Sequence, residues 1–332
     1  MSTSLLEMRG VTTRLSVGKK LVPVVENVSF EVQRGEIVGL VGESGSGKSM
    51  TARTIIGLLP RGSIRDGTIV LDGEKISADK RDLRRIRGRR VSVVFQDPRA
   101  HIDPLYRNRE HIVEGLQRHR GLRSVEAAAE AIKLLASVGI ADPERVLAAY
   151  PGQVSGGMLQ RVLIAGALTG EPDLLIADEA TTALDVTTQA EIVGLFNRLR
   201  SERGTGIIFI THDLDLAAAI CDKTIVMYAG RIMEQQETTR LFESPLHPYT
   251  AALLRARPQI DSRPAKLEVI PGQSVSAYEA PTGCSFRLRC SFAIDACSQH
   301  DSVLREMEPG SATACLRVAE IRSRMHSEVI RA

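Results

Sequence analysis

The chain has 332 residues, 43% hydrophobic and 25% charged, with a formal net charge of +3. That is the profile of an ordinary globular protein with one large domain and an appendage, or two modest domains. No apolar run approaches the roughly 18 residues needed to span a bilayer, MSTSLLEMRG lacks the apolar stretch of a secretory signal, and +3 is too small to argue for nucleic acid; a cytosolic protein that reaches any membrane through a partner is expected.

Ile37–Val41 is a short, wholly apolar run closed by Gly42, as expected of a strand buried on both faces of a parallel sheet. After the turn, Ala52, Ile55, Ile56 and Leu59 recur at helical spacing, and Pro60 is expected to stop that helix. The basic run KRDLRRIRGRR at 80–90 predicts a solvated helical face or loop, with RNA, DNA or anionic lipid as the alternative contact. Residues 91–95, 174–177 and 207–210 are further strand candidates, and the alternation predicts an α/β fold with a parallel sheet. From about Asp97 to Leu168 the pattern is mostly helical, clearest in the alanine-rich stretch 124–140, which predicts a helical subdomain inserted between two strands. Residues 223–234 read as a hairpin turning at Ala229-Gly230. Beyond Thr238 prolines and polar residues become frequent and periodicity weakens, so a main domain at 1–237 and an extension at 238–332 are expected. No internal repeat is visible, so the chain carries one copy of its core.

Gly42-Glu43-Ser44-Gly45-Ser46-Gly47-Lys48-Ser49 fits G-x-x-x-x-G-K-[ST] between the predicted strand and helix. Glycines let backbone N–H groups curl around phosphate oxygens, and the following helix turns its positive end toward them. Lys48 supplies a mobile charge to the outer phosphates, and the Ser49 hydroxyl can ligate Mg²⁺. Downstream, the apolar run 174–177 ends in Asp178-Glu179, where ligands of α/β sheets bind. Asp178 is placed to hold Mg²⁺ through water, and Glu179 to polarise the water that attacks the γ-phosphate. Together these describe a nucleoside-triphosphate hydrolase.

Val154-Ser155-Gly156-Gly157-Met158-Leu159-Gln160-Arg161, between those motifs, resembles the LSGGQ signature of ABC transporter ATP-binding subunits, with Val154 and Met158 as departures. Phe95-Gln96-Asp97-Pro98 is similar to that family's loop whose glutamine senses Mg²⁺ and the γ-phosphate. Thr182-Ala183-Leu184-Asp185 resembles its D-loop, and Ile210-Thr211-His212-Asp213 its switch histidine. The resemblance implies a P-loop NTPase core of the RecA-like kind with a β-subdomain and an inserted helical subdomain, ATP and Mg²⁺ as cofactors, and Glu179, His212 and Gln96 as catalytic residues. It also implies a head-to-tail dimer, in which Ser155, Gly156 and Gly157 of one subunit cap ATP held by the loop of the other and Asp185 lies nearby. The partners implied are two integral membrane permease subunits, a second ATPase copy or homologue, and indirectly an external solute-binding protein, with the chain peripheral at the cytoplasmic face of the membrane. The family's adenine-stacking aromatic is missing: no Phe, Tyr or Trp precedes Phe30, and Leu15 or Val17 falls nearest that place.

Leu241-Phe242-Glu243-Ser244-Pro245-Leu246-His247-Pro248-Tyr249-Thr250, then Leu253-Leu254 and Ile270-Pro271-Gly272, are similar to segments of the oligopeptide, dipeptide and nickel importer ATPases. Import of peptides or similar small solutes is therefore expected, against a soluble ABC ATPase acting on nucleic acid or ribosomes, or an exporter ATPase. Of five cysteines, Cys284, Cys290, Cys297 and Cys315 crowd the end of the chain as C-x5-C-x6-C-x17-C. In a cytosolic protein such clustering suggests metal more than disulfides. The importer resemblance implies a [4Fe–4S] cluster, with tetrahedral Zn²⁺ and free thiols as alternatives.

Overall fold

A computed structural model of the chain describes residues 4–181, 184–257, 269–299 and 301–331. It forms two compact units. The first comprises residues up to Leu6, Val32–Ile37 and Val70–Ile210; the second comprises Glu7–Glu31, Val38–Ile69 and the chain from Thr211 on.

In the first unit the strands Val91–Val94, Leu174–Asp178 and Gly206–Ile210 pair in parallel in that order. Leu174–Asp178 and Gly206–Ile210 are buried along their whole length, which explains why they are continuous apolar runs rather than alternating ones. Phe196, from the helix Val186–Arg203, meets Phe209 edge to face at 6.1 Å, closing one side of this layer. The helices Asn108–Arg120, Ser124–Ser137, Pro143–Ala148 and Gly156–Ala167 lie in the segment whose pattern is helical. Ser124–Ser137 stops short of Ile140 because Gly139 takes a left-handed φ of 82° and Ile140 N–H turns back to the Leu135 carbonyl. The basic run forms the short helix Lys80–Ile86, with Leu83 and Ile86 buried. Arg90, just after it, donates to Asp72 and Asp173, both at 3.0 Å, so part of that run is structural.

In the second unit Ile37–Val41 pairs in parallel with Lys223–Tyr228, which forms a hairpin with Arg231–Glu237 through Ala229-Gly230. Ser311–Thr313 adds to the far edge of Arg231–Glu237, and Arg305–Glu308 adds to Ser311–Thr313. A separate sheet joins Lys20–Val32, Leu6–Val17 and Ile64–Leu71 in that order. The helix Lys48–Ile55 ends well before Pro60, because Gly57 at φ 64° reverses the chain and Leu58 N–H returns to the Arg53 carbonyl. The segment after Thr238 is more regular than its composition suggests. It carries the helices Thr238–Glu243, Pro248–Arg255, Ala296–Gln299 and Val318–Arg331, with a small core of Ala251, Phe292, Ile321 and Met325.

Candidate functional site

The phosphate-type loop lies in the second unit, between Ile37–Val41 and Lys48–Ile55. Gly42 takes φ 146°, and a Cβ there would stand 2.2 Å from the Met227 carbonyl oxygen, so only glycine fits. Gly47, at φ 102°, is the N-cap of Lys48–Ile55; no side chain caps that end, and no acidic residue lies in its first turn. Such a helix start presents N–H groups to an anion, and the macrodipole favours negative charge there. Gly45 faces open space at φ 79°. Lys48 is 5% exposed, and its Nζ donates to the carbonyls of Gly42 at 2.7 Å and Glu43 at 2.9 Å. These groups fit an anion such as a nucleotide phosphate. Ser49 stands in the first turn of the same helix. His212 is exposed in this unit, between Thr211, whose hydroxyl accepts from Asp213 N–H at 3.0 Å, and Asp213, which caps Leu214–Ile220. Leu15 is half-buried, while Val17 is 61% exposed at the end of Leu6–Val17.

The first unit brings Gln96 and Glu179 together: Gln96 Nε2 donates to Glu179 Oε2 at 2.8 Å. Glu179 follows Leu174–Asp178 and holds a left-handed φ of 49°, unusual for a non-glycine residue, with its N–H on the Ile210 carbonyl at 3.0 Å. Asp178, beside it, is 5% exposed. A Mg²⁺ ion needs only one or two protein ligands besides phosphates and water, and Ser49 in the second unit and Asp178 in the first each carry an oxygen of the kind it takes.

Ser155 N-caps Gly156–Ala167, its hydroxyl accepting from Met158 N–H at 3.3 Å. The helix is pinned below this point by Arg161, which donates to the Val138 carbonyl at 2.5 Å and pairs with Glu191. Asp185 caps Val186–Arg203 through Thr188 N–H at 3.0 Å and the Thr188 hydroxyl at 2.8 Å, contacts that hold its carboxyl below the ordinary aspartate value. Thr182 and Ala183 of the same stretch lie outside the described residues.

Sequence reasoning missed the buried polar centre of the His247 segment. Glu234, fully buried, accepts from Leu246 N–H at 2.7 Å, His247 N–H at 2.8 Å and Gln236 Nε2 at 2.7 Å. Burial pushes its carboxyl up to about 7 despite those donors. His247 is buried as the neutral ring, its pKa driven down to about 3 by burial, with Nδ1 accepting from Tyr249 N–H at 3.0 Å. No local signal announced it, since Glu234 opens the polar run Glu234-Gln235-Gln236-Glu237.

Cys284, Cys290, Cys297 and Cys315 all line one cavity of about 20 Å³. Burial, and the neighbouring thiols after it, raise Cys290 to about 11 and Cys315 to about 12. The expected metal centre gains no support from this arrangement. Among the described residues no three His, Cys, Asp or Glu side chains are set to hold a metal ion, and the cavity has room for about one water.

Residues 25–182 match the family model described as ABC transporter, and residues 233–297 the model described as oligopeptide/dipeptide transporter, C-terminal region. A probable peptide ABC transporter ATP-binding protein of Sinorhizobium fredii is 44% identical over 321 residues, 96% of each chain. The oligopeptide transport ATP-binding protein OppD of Salmonella typhimurium is 41% identical over 317 residues, covering 95% of this chain and 94% of that protein. Among solved structures, a dimeric ATP-binding cassette in a post-hydrolysis state with ADP and Pi superposes with a TM-score of 0.63 at 29% identity, over 70% of this chain and 98% of its own.

Proposed function

We propose, from the premise that the chain belongs to the ATP-binding proteins of ABC transporters, that it hydrolyses ATP to drive the import of peptides. The observation that carries the reading is the uncapped start of Lys48–Ile55 beside the buried Lys48. The peptide substrate is supported by what the relatives are called and by the match at 233–297.

ATP would supply the scissile phosphoanhydride, and Mg²⁺ would supply positive charge to offset that of the phosphates. In the proposed site the N–H groups of the loop 42–49 cradle the phosphates, Lys48 neutralises them, and Ser49 and Asp178 hold the ion. Glu179 orients the attacking water and draws off its proton, Gln96 fixes the Glu179 carboxylate, and His212 supports the γ-phosphate. Ser155, Gly156 and Gly157, with Asp185, complete the site of a second copy or homologue in a head-to-tail dimer. That a similar solved cassette is dimeric supports the pairing of two copies.

The further partners proposed are two integral membrane permeases and, through them, an external solute-binding protein, with the chain peripheral at the cytoplasmic face. No helix among the described residues is long and apolar enough to cross a membrane. The [4Fe–4S] assignment rests on the importer resemblance alone, and iron and sulfide assays of anaerobically purified protein decide it. The central test is pull-down from detergent-solubilised membranes, followed by ATPase assay. Recovery with two integral membrane proteins, and a rate that rises with peptide and binding protein, is expected. Recovery with ribosomes or nucleic acid instead overturns the importer reading.

A further inference from the structure

The loop 42–49 is gripped from outside by side chains more than two hundred residues away in sequence. The peptide group joining Gly42 to Glu43 makes two bonds. Its carbonyl accepts from Lys48 Nζ at 2.7 Å, and its N–H donates to the Tyr249 hydroxyl at 2.9 Å. The hydroxyl is fixed in turn, because Tyr249 is fully buried and packs edge-on against Tyr228 at 4.9 Å and at a tilt against Phe286 at 5.1 Å. The Glu43 carboxylate receives the two-pronged guanidinium of Arg289, Nη1 on Oε2 at 2.6 Å and Nη2 on Oε1 at 3.0 Å. Arg289 has a side chain only 6% exposed, held from behind by Nε on the Pro271 carbonyl at 2.8 Å and lying over the Tyr228 and Phe286 rings.

Two physical consequences follow. A peptide plane tied at one end to a rigid phenol cannot rotate freely, so the resting place of Lys48 is set by Tyr249. A carboxylate beside a polyanion site opposes the ligand unless a cation cancels it, and a buried bidentate guanidinium does so far better than a solvated lysine would. We propose that Tyr249 and Arg289 are positioning residues of the phosphate loop: Tyr249 orients the Gly42–Glu43 peptide against Lys48, and Arg289 neutralises Glu43 so that the loop accepts the nucleotide's phosphates. This rests on the reading that the loop binds ATP.

The test is titration of the full chain with a fluorescent ATP analogue, together with steady-state ATPase assays and thermal midpoints. Tyr249→Phe removes one hydroxyl and no packing surface, and should raise both Kd and KM by roughly threefold to tenfold. Arg289→Gln should raise both by roughly tenfold or more, with a smaller effect on kcat. The pair Glu43→Gln with Arg289→Gln should recover most of that loss, because no bare carboxylate then faces the phosphates. Glu43→Gln would also relieve a fold destabilised by an unpaired carboxylate, so the thermal midpoints decide: a loss of affinity at an unchanged midpoint is the positioning effect, and a loss that tracks a lowered midpoint refutes it. Lys48→Ala separates the premise from the inference. If it leaves binding intact, the loop assignment fails and this proposal with it. If it weakens binding while Tyr249→Phe and Arg289→Gln do not, or if the double variant binds no better than Arg289→Gln, the positioning role is refuted and the loop assignment stands.

Discussion

Glu234→Gln separates two buried titrations that otherwise hide one another. Glu234 titrates near 4.5 when unfolded and at about 7 in the fold, raised by burial. Between those values the folded chain holds the extra proton, so stability is full below pH 4.5 and falls as pH rises through 7. The interval corresponds to about 3 kcal/mol. His247 works with the opposite sign: its value drops from 6.5 to about 3 on burial, so its contribution is present above 6.5 and lost as pH falls. From pH 4.5 to 6.5 the slopes oppose, and the profile of the unaltered protein conceals both.

The difference between the unaltered protein and Glu234→Gln isolates the carboxylate, because His247 is common to the two. The amide keeps the shape but turns an NH₂ toward either the Leu246 or the His247 N–H, a pH-independent penalty of about 1–3 kcal/mol. Urea unfolding at pH 5, 6, 7 and 8 should therefore show the unaltered protein's advantage shrinking by about 3 kcal/mol as pH rises. A constant difference across that range would mean that Glu234 ionises as an ordinary surface carboxylate, and the account of the buried centre would fall.

Glu179→Gln should lower kcat for ATP roughly 10²–10⁴-fold, a barrier increase of about 3–5 kcal/mol, while Kd for ATP stays close to that of the unaltered protein. A variant that turns over normally would assign the water-activating role elsewhere. Gly42→Ala brings a methyl to 2.2 Å from the Met227 oxygen at φ 146°; a loss of about 1–3 kcal/mol in unfolding free energy, together with weaker nucleotide binding, is expected, and unchanged urea midpoints would contradict the close approach. With no aromatic ring at Leu15 or Val17, the roughly 1–3 kcal/mol of base stacking is missing. ATP and GTP should then compete within about tenfold of each other, and a hundredfold preference for ATP in a displacement assay would show that another residue reads the base.

What was legible in the sequence depended on how locally each feature is encoded. Residues 174–177 and 207–210 stood out because strands buried on both faces read as continuous apolar runs. The phosphate loop was legible because its chemistry uses backbone N–H groups, glycines and one lysine in a contiguous string. Helix ends were misplaced where a glycine turns the chain before the apolar spacing runs out, at Gly57 and Gly139. Val318–Arg331 went unnoticed because, among the described side chains, only Val318, Ile321 and Met325 carry its buried face among arginines, glutamates and serines. The contacts of Glu43 with Tyr249 and Arg289 span 206 and 246 residues, and no local pattern announces them.

The same distinction explains why the segment after Thr238 reads as an appendage in composition while the hydrogen bonding ties it to the loop-bearing unit. Ser311–Thr313 covers the edge of Arg231–Glu237, which would otherwise offer unpaired N–H and C=O groups. Leu246 and His247 supply the donors without which Glu234 would be a buried carboxylate lacking two of its partners. Arg289 supplies the charge opposite Glu43. Each tie satisfies a group on the earlier part of the chain that is costly to leave bare. A segment poor in periodic apolar residues is therefore held by polar bonds to a preformed sheet, with its own small core as a supplement.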